Sequence, residues 1–493
     1  MKRGQERLVY TILGHLAQTD FGEAFGIDQW LGKPDWLYSF QDNVPVFEYD
    51  TFYKDWISKA LRSERSVIWD EAMVFIALTS GTSSLKEKYI PYTNTFIKRI
   101  LKETRGLTFE LIKQGISPFH FFNKVLTVGG STDFKKPTEL IHTLGFQSNL
   151  QAGYMSGIVY NHRPKWYNRL NALPEHVYEL STWEDKTDFI VQHAHSFNIG
   201  TVTGFPSFVL PILKKIIAHY KVGTIHEIWP NFRLYCHSGM SITPYMNELK
   251  HCFGWHVDFF ETYYATEGFF GYSHTLNSEY LKLKTDGSIY YEFIPFDSTH
   301  FDENGHLIST KGIVNIAKLH THTPYALVIT NTSGLVRFVQ GDVLVFWDIA
   351  QLLFKIEGRI SEIINTAGEL LPASQLKTAV SSYLSDNKIE GISDYFLTTE
   401  LKNGKNLYTF YFVNDEVVTK RFGDLDGFLQ NYFLFYKSYR HDGSLAKPEI
   451  VVLSQHSFEK LLQTTNKLNG QGKMPFYVKG ELKKVVDCIL HQY

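Results

Sequence analysis

The chain has 493 residues, with 49 Lys or Arg against 51 Asp or Glu, so its charges nearly cancel and no basic stripe marks a nucleic-acid footprint. A 44% hydrophobic and 20% charged composition is that of a soluble globular chain, long enough for a large core and more than one domain. Three scattered cysteines (Cys236, Cys252, Cys488), no apolar run near the ~18 residues of a membrane span and no signal-peptide core together lead us to expect a cytoplasmic protein without disulfides.

The first ~75 residues carry helical spacing, as in "FYKDWISKALRS", whose apolar residues recur three and four apart. "MVFIAL" reads as a buried strand, and "TNTFIKRILKETRGLTFELIKQG" as a helix ending at Gly115. The middle alternates strands and helices: "FNKVLTVGG", "PSFVLPILKKIIAHY", "FRLYCHSG" and "WHVDFFETYYATEG". Such alternation predicts an α/β architecture with ligand loops at strand ends. "GSIYYEFIPF", "YALVITNTSGLVRFVQGDVLVF" and "LLFKIEGRISEIIN" are strand-rich, being β-branched, aromatic and punctuated by glycine. After about residue 360 a compact α+β pattern follows: a helix at "PASQLKTAVSSYL", a hairpin "YFLTTELKNGKNLYTFYFV", a helix around "DLDGFLQNYFLFYKSYR" and a strand "EIVVLS". We place a hinge near Gly358 to Ser361, dividing residues 1–358 from 359–493.

Four stretches carry chemistry. "LTSGTSSLKEK", Leu78 to Lys88, follows a strand but fails the GxxxxGK[ST] phosphate-loop pattern, because Lys86 stands where the second glycine would fall. Its hydroxyls, amides and lysines can still bind phosphate, although a solvated Ser/Thr turn has the same composition. "ETYYATEGFFG" offers an aromatic face, a hydroxyl and the carboxylate of Glu267, an oxygen ligand of the kind magnesium takes beside substrate phosphates. A strand end with a surface glutamate reads the same way. Asp342 in "VRFVQGDVLVF" follows Gly341 between apolar runs, placed either for a ribose diol or for a plain β-turn. Lys473 in "NGQGKMPFYV" lies in a glycine-rich setting suited to a lysine that moves to a ligand, or to an ordinary loop.

The order T-S-G-T-S…K, Y-x-x-T-E-G, G-D, R and a late Q-x-K-x-P resembles the adenylate-forming enzymes. More narrowly, with "TDFGEAFGI", "NVPVFEYDTF", "KYIPYT", "TVTGFPSFVLPIL", "IWPNFRLYCHSGMSITPY" and "LDGFLQNYFLFYKSYR", it resembles the Gretchen-Hagen family of auxin-responsive acyl-acid amido synthetases and their bacterial relatives, from about Gln5 to Val478. The resemblance implies a large N-terminal ATP- and acyl-binding domain with β-sheets and a β-barrel-like region. It also implies a small mobile α+β C-terminal domain.

The implied reaction activates a small carboxylic acid with ATP and Mg²⁺ as acyl-AMP, then passes the acyl group to an amine, an amino acid in most of the family. By carry-over, Thr79, Ser80, Gly81, Thr82, Ser83 and Lys88 would hold the phosphates, and Glu267 the Mg²⁺. Tyr263 would stack on adenine and Thr266 would touch phosphate. Ser238 and Gly239 would line the pocket, Asp342 would hold the ribose beside Arg359, and Lys473 would close onto the phosphates.

The chain departs from the family in four places: Leu85 and Tyr264 stand where glycine is usual, Ser238-Gly239 replaces a double glycine, and Phe476 stands where arginine is common. Two other readings stay open: a thioester-forming ligase using coenzyme A, and a non-catalytic binding relative. The pairs His193/His195 and His320/His322 lack a third metal ligand, and Lys214, Lys215 and Lys221 read as a solvated helix face.

Overall fold

The computed structural model describes residues 2–62, 66–79, 88–129, 150–180, 183–239, 241–302, 305–364, 371–402, 405–414, 422–465 and 474–490. Helices Lys2–Leu16 and Trp36–Asn43 lead into β1 (Met73–Thr79) and β2 (Lys88–Thr93). The long helix Asn94–Lys113 follows at once, its first turn capped by the Thr93 hydroxyl, which accepts from the Phe96 amide at 3.1 Å. Then come β3 (Lys124–Val128), β4 (Gln151–Tyr154), the helix Met155–His162, β5 (Ile199–Gly204), the helix Pro206–Tyr220 and β6 (Leu234–Ser238). Next are β7 (Asp258–Ala265), β8 (Gly268–Ser273), β9 (Leu281–Leu283), β10 (Ile289–Pro295) and β11 (Val314–Asn315). After these run β12 (Pro324–Asn331), β13 (Phe338–Asp348) and β14 (Leu353–Arg359).

Eleven of these strands form one sheet in the order β11-β10-β12-β13-β14-β9-β8-β7-β6-β5-β3. β3, β5, β6 and β7 are parallel neighbours, and from β8 onward the pairing is antiparallel. The strand-rich stretch thus continues the α/β sheet as its antiparallel wing. β2-β1-β4 is a separate three-stranded sheet packed into the same core as that wing and the N-terminal helices.

Two side chains tie those helices to the wing. Gln5, 2% exposed, donates from Nε2 to the carbonyls of Thr285 and Ile289 at 2.9 Å each, and its Oε1 accepts from the Tyr291 amide at 3.0 Å. Arg337 pairs with Glu292 through two nitrogens at 3.0 and 3.1 Å and donates to the carbonyls of Gln41 and Val44 at 2.7 and 2.5 Å. Both members of this ion pair are buried, so each satisfies a charge that the core would otherwise expel.

Beyond Ile364 the chain builds its own cores. β17 (Asp394–Lys402) and β18 (Lys405–Val413) form the predicted hairpin, flanked by β19 (Glu449–Leu453) and β20 (Tyr477–Val478); short β15 (Ile363–Ile364) and β16 (Leu371–Pro372) pair just after the expected hinge. Two apolar clusters, one around Tyr408 and Phe410 and one around Phe396 and Val413, contain only residues from 364 onward. The helix expected over "DLDGFLQNYFLFYKSYR" is two helices, Leu425–Tyr432 and Leu434–His441, broken where Phe433 takes an extended backbone and buries its ring.

Candidate active site

In the parallel half of the sheet the strands end on one side of the molecule, where open α/β sheets bind ligands. A cleft of 3560 Å³ opens there, several times the volume of an ordinary small-molecule pocket, and it is also lined by residues of the C-terminal part. Lys88, Ser238, Gly239, Tyr263, Thr266, Glu267, Asp342 and Arg359 all line it, although they are spread over some 270 residues of sequence.

The pairing of β1 with β2 sets Thr79 opposite Lys88, so the Ser/Thr-rich loop leaves and re-enters at one point. Ser80, Gly81, Thr82, Ser83 and Leu85 lie outside the described residues, as do the Thr79 side chain and Lys473. Met474, Pro475 and Phe476, directly after Lys473, line the same cleft. Lys88 places its ammonium 4.9 Å from the centroid of the Tyr49 ring, a cation–π contact. Burial holds Lys88 below the usual ammonium range, opposed chiefly by the Glu267 carboxylate.

Glu267 is buried at the β7–β8 turn, and burial raises its carboxyl, with Lys88 and Arg359 pulling it back down. Two side chains remote in sequence grip this turn by its carbonyls. Tyr92, on β2 four residues after Lys88, donates its hydroxyl to the Thr266 carbonyl at 2.5 Å. Asn331 donates from Nδ2 to the Glu267 carbonyl at 2.8 Å, and its Oδ1 accepts from the Ser333 amide, the Ser333 hydroxyl and the Leu335 amide. Gly268 completes the turn at φ +149°, where an added Cβ would lie 2.6 Å from Ile289.

Tyr263, Asp342 and Arg359 form one network. The Tyr263 hydroxyl donates to Asp342 Oδ2 at 2.5 Å, and Arg359 Nε lies 3.2 Å from Asp342 Oδ1. Gln340 Oε1 accepts from the Asp342 amide at 3.0 Å. The Asp342 carboxylate raises Arg359, which stays charged, while burial followed by Asp342 pushes the Tyr263 hydroxyl well up. The Tyr263 ring packs among Phe270 and Phe354 at centroid distances of 4.9 and 6.0 Å and is 6% exposed. Ser238 ends β6 opposite Thr262, and Gly239 follows at φ +74°, where a Cβ would meet the Phe205 ring at 2.5 Å.

Sequence reasoning missed Tyr49, Tyr92, Gln340 and Asn331 as site residues. Tyr49 and Tyr92 lie inside "NVPVFEYDTF" and "KYIPYT", which carried the family resemblance, but only the Lys88–Tyr49 ring contact and the Tyr92–Thr266 hydrogen bond tie them to the site. Among the described residues no three His, Cys, Asp or Glu gather as metal ligands. His193 and His195 instead bond Phe189 and Tyr220 at 2.9 Å each. The site does fit a magnesium ion that arrives with phosphates: one buried carboxylate, Glu267, beside Lys88 is the donor set such an ion needs from the protein.

The fold class follows from solved structures. The chain superposes on a 2-hydroxyisobutyryl-CoA ligase in its postadenylation state with a TM-score of 0.57 at 11% identity, covering 99% of this chain and 91% of that one, so it has the fold of adenylate-forming ligases. It superposes better on the GH3.15 acyl acid amido synthetase, with a TM-score of 0.78 at 16% identity over 99% and 93% of the two chains.

Family models place it further. The GH3 family N-terminal domain matches residues 1–187, the central domain residues 283–355 and the C-terminal domain residues 363–481; the chain belongs to the GH3 family. Among curated proteins it is similar to the jasmonoyl–L-amino acid synthetase GH3.5 of Oryza sativa subsp. japonica, at 22% identity over 99% of this chain and 94% of the relative. It is also similar to the 4-substituted benzoates-glutamate ligase GH3.12 of Arabidopsis thaliana, at 22% identity over 100% and 96%.

Proposed function

We propose that this chain is an ATP-dependent ligase that activates a small carboxylic acid as acyl-AMP and joins the acyl group to an amine, an amino acid, as an amide. The observation that carries this reading is the meeting of Lys88, Thr266, Glu267, Asp342 and Arg359 in one cleft at the ends of the parallel strands. A carboxylate oxygen of the acid attacks the α-phosphorus of ATP, and the bond to pyrophosphate breaks. The amine nitrogen then attacks the acyl carbon, the bond to the AMP oxygen breaks, and the amine proton leaves.

Phosphate charge builds up in the first step and is met by Lys88, by the hydroxyls of Thr79, Ser80, Thr82 and Ser83, by the Gly81 amide and by Lys473. Mg²⁺ bound with ATP would be held by Glu267, and it supplies charge neutralisation at the phosphates. Asp342 and Arg359 take the ribose once the Tyr263 hydroxyl and the guanidinium yield Asp342's oxygens to the diol. Tyr263 and the backbone at Ser238–Gly239 border the adenine.

We assign residues 1–358 to a large domain and 359–493 to a small domain that brings Lys473 to the phosphates. The separate apolar clusters beyond Ile364 support that division. Among the described residues no helix is long and apolar enough to cross a membrane. With Cys236, Cys252 and Cys488 all free thiols, the chain suits the cytoplasm.

Acid-dependent ATP–pyrophosphate exchange across aryl and aliphatic acids tests the first step, with Lys473→Ala and Glu267→Ala expected to lose it. Release of AMP that depends on an amino acid and not on coenzyme A tests the second. Absence of exchange with every acid, together with no ATP binding by calorimetry, would make the chain a binding relative of these ligases.

A further inference from the structure

We infer that Glu362 and Lys377, just past the hinge, receive the amine substrate as an amino-acid zwitterion, Lys377 holding its carboxylate and Glu362 its ammonium. This rests on the ligase reading above. Both side chains line the cleft and both are half-buried, and neither is among the groups assigned to ATP.

The chain path sets them side by side. Arg359 ends β14 with its Nε on Asp342, and Glu362 follows three residues later. The helix Ala373–Asp386 is then clamped back onto the end of β14. The Ser374 hydroxyl donates to the Glu357 carbonyl, and Gln375 Nε2 donates to Glu357 Oε2 at 2.5 Å. Lys377 stands just under one turn beyond Ser374, about 4.5 Å along the helix axis, and so beside the hinge.

Both charges lack a partner. The Lys377 ammonium lies 5.5 Å from the centroid of the Tyr395 ring and 6.0 Å from that of Phe476, two rings that meet edge to face at 5.8 Å. Tyr395 is fixed in turn by its hydroxyl, which meets the Ser381 hydroxyl at 2.5 Å and donates to the Lys377 carbonyl at 3.3 Å. These rings steady the ammonium and satisfy none of its three donors. Among the described residues neither the Lys377 ammonium nor the Glu362 carboxylate has a hydrogen bond or an ion pair.

Their charges nevertheless reach each other. Burial raises the Glu362 carboxyl; Arg359, Lys377 and Lys479 pull it down, and Asp342 pushes it up. Arg359 is engaged with Asp342, and Lys479 feels Asp302 more than Glu362, which leaves Lys377 as the cation that answers Glu362. Lys355 and Arg163, also in the cleft, are engaged with Glu279 and with Asn168 and Asn171. Opposite charges enclosed in one cleft and held apart match a ligand that carries both signs close together, as an α-amino acid does on one carbon. An ammonium nitrogen sheds two protons on becoming an amide nitrogen. Glu362 takes the first, before attack on the acyl carbon; the second leaves as the bond to AMP breaks and AMP departs with its electron pair.

An oxyanion at Lys377 can also be a phosphate of ATP, and pyrophosphate exchange without any amine separates the two sources. The amine step is read as AMP release with a panel of α-amino acids, each against its decarboxylated amine. The best amino acid is expected to exceed its amine by about tenfold or more in kcat/KM, the worth of a charged hydrogen bond. Lys377→Met should erase that preference by raising the amino-acid KM alone, and Lys377→Arg should restore part of it. Glu362→Gln should lower kcat/KM about tenfold for amino acid and amine alike, since both bring an ammonium.

Exchange and ATP KM at wild-type values in these variants show that they are folded and that phosphate is not the ligand. Equal use of amino acid and amine by the wild type would overturn the inference, as would a preference that survives Lys377→Met. A loss of exchange as large as the loss of amide formation would overturn it too. A wild type without exchange for any acid speaks against the ligase reading instead. Calorimetric binding of the amino acids, with and without Lys377, then reads the contact by itself, and no binding to the wild type would overturn it.

Discussion

Replacing Tyr92 with Phe removes one oxygen atom from a ring with 0% exposure, so no cavity opens and the core packing is unchanged. What goes is the 2.5 Å hydrogen bond to the Thr266 carbonyl. A neutral hydrogen bond is worth about 1 kcal/mol net, and the carbonyl left behind in a part-buried turn brings the loss to about 1–3 kcal/mol. Urea unfolding should show that decrease with an unchanged slope. The turn also presents Glu267, and a misplacement of the order of an ångström can cost ~100-fold in rate. Tyr92→Phe should therefore lower kcat for pyrophosphate exchange by about tenfold or more and raise the Mg²⁺ concentration needed for half-maximal exchange, with the acid KM unmoved. If stability falls by the expected amount while exchange and its Mg²⁺ dependence stay at wild-type values, Tyr92 holds the fold and does not position the site.

Arg337→Leu leaves Glu292 buried without its partner and should cost about 3–5 kcal/mol in urea unfolding, most of it regained when Glu292→Leu is added. Gly239→Ala puts a side chain at φ +74° and against Phe205, so about 1–2 kcal/mol of stability should be lost and the ATP KM should rise. Phe205→Ala in the same chain should relieve the contact but not the backbone strain. His237 is 3% exposed with Nδ1 unpartnered, and burial pushes it down to about 4 from an ordinary 6.5. Charging it is resisted in the native state, so stability is full above pH 6.5 and falls as pH drops toward 4, by about 3 kcal/mol in all. Subtracting the pH-stability curve of His237→Gln from that of the wild type should show this slope, and parallel curves would refute it.

The elements were legible where pattern and length agreed. The strand at "MVFIAL", the helix after Thr93, the parallel strands and the Asn-Gly hairpin all stand near their predicted places. Phe433 was not legible, because a continuous aromatic helical pattern hides a break that pays only through burial against the C-terminal core. The described residues named from motif order do line one cleft: Ser238, Tyr263, Thr266, Glu267, Asp342 and Arg359 come from strands and a turn of the large sheet, and Lys88 comes from the start of β2 in the separate three-stranded sheet. Tyr92 and Asn331 could not be found that way: a tyrosine in a strand and an asparagine at a strand end have ordinary local reasons to be there. Their work is done on carbonyls 174 and 64 residues away in the chain.

The staples made by Gln5 and Arg337 also bear on how such a chain comes into being. Gln5 bonds a carbonyl 284 positions later, and Arg337 reaches back 296 positions to Gln41. During synthesis at roughly 5–20 residues per second, the earliest helices must wait tens of seconds for the strands that complete them. Their apolar faces, with Val9, Ile12, Leu13 and Leu16 all at 0% exposure in the finished fold, lack the strands that complete their cover through that interval. These helices are thus made well before the strands that finish them, and a nascent chain halted before residue 337 is the form most in need of a chaperone.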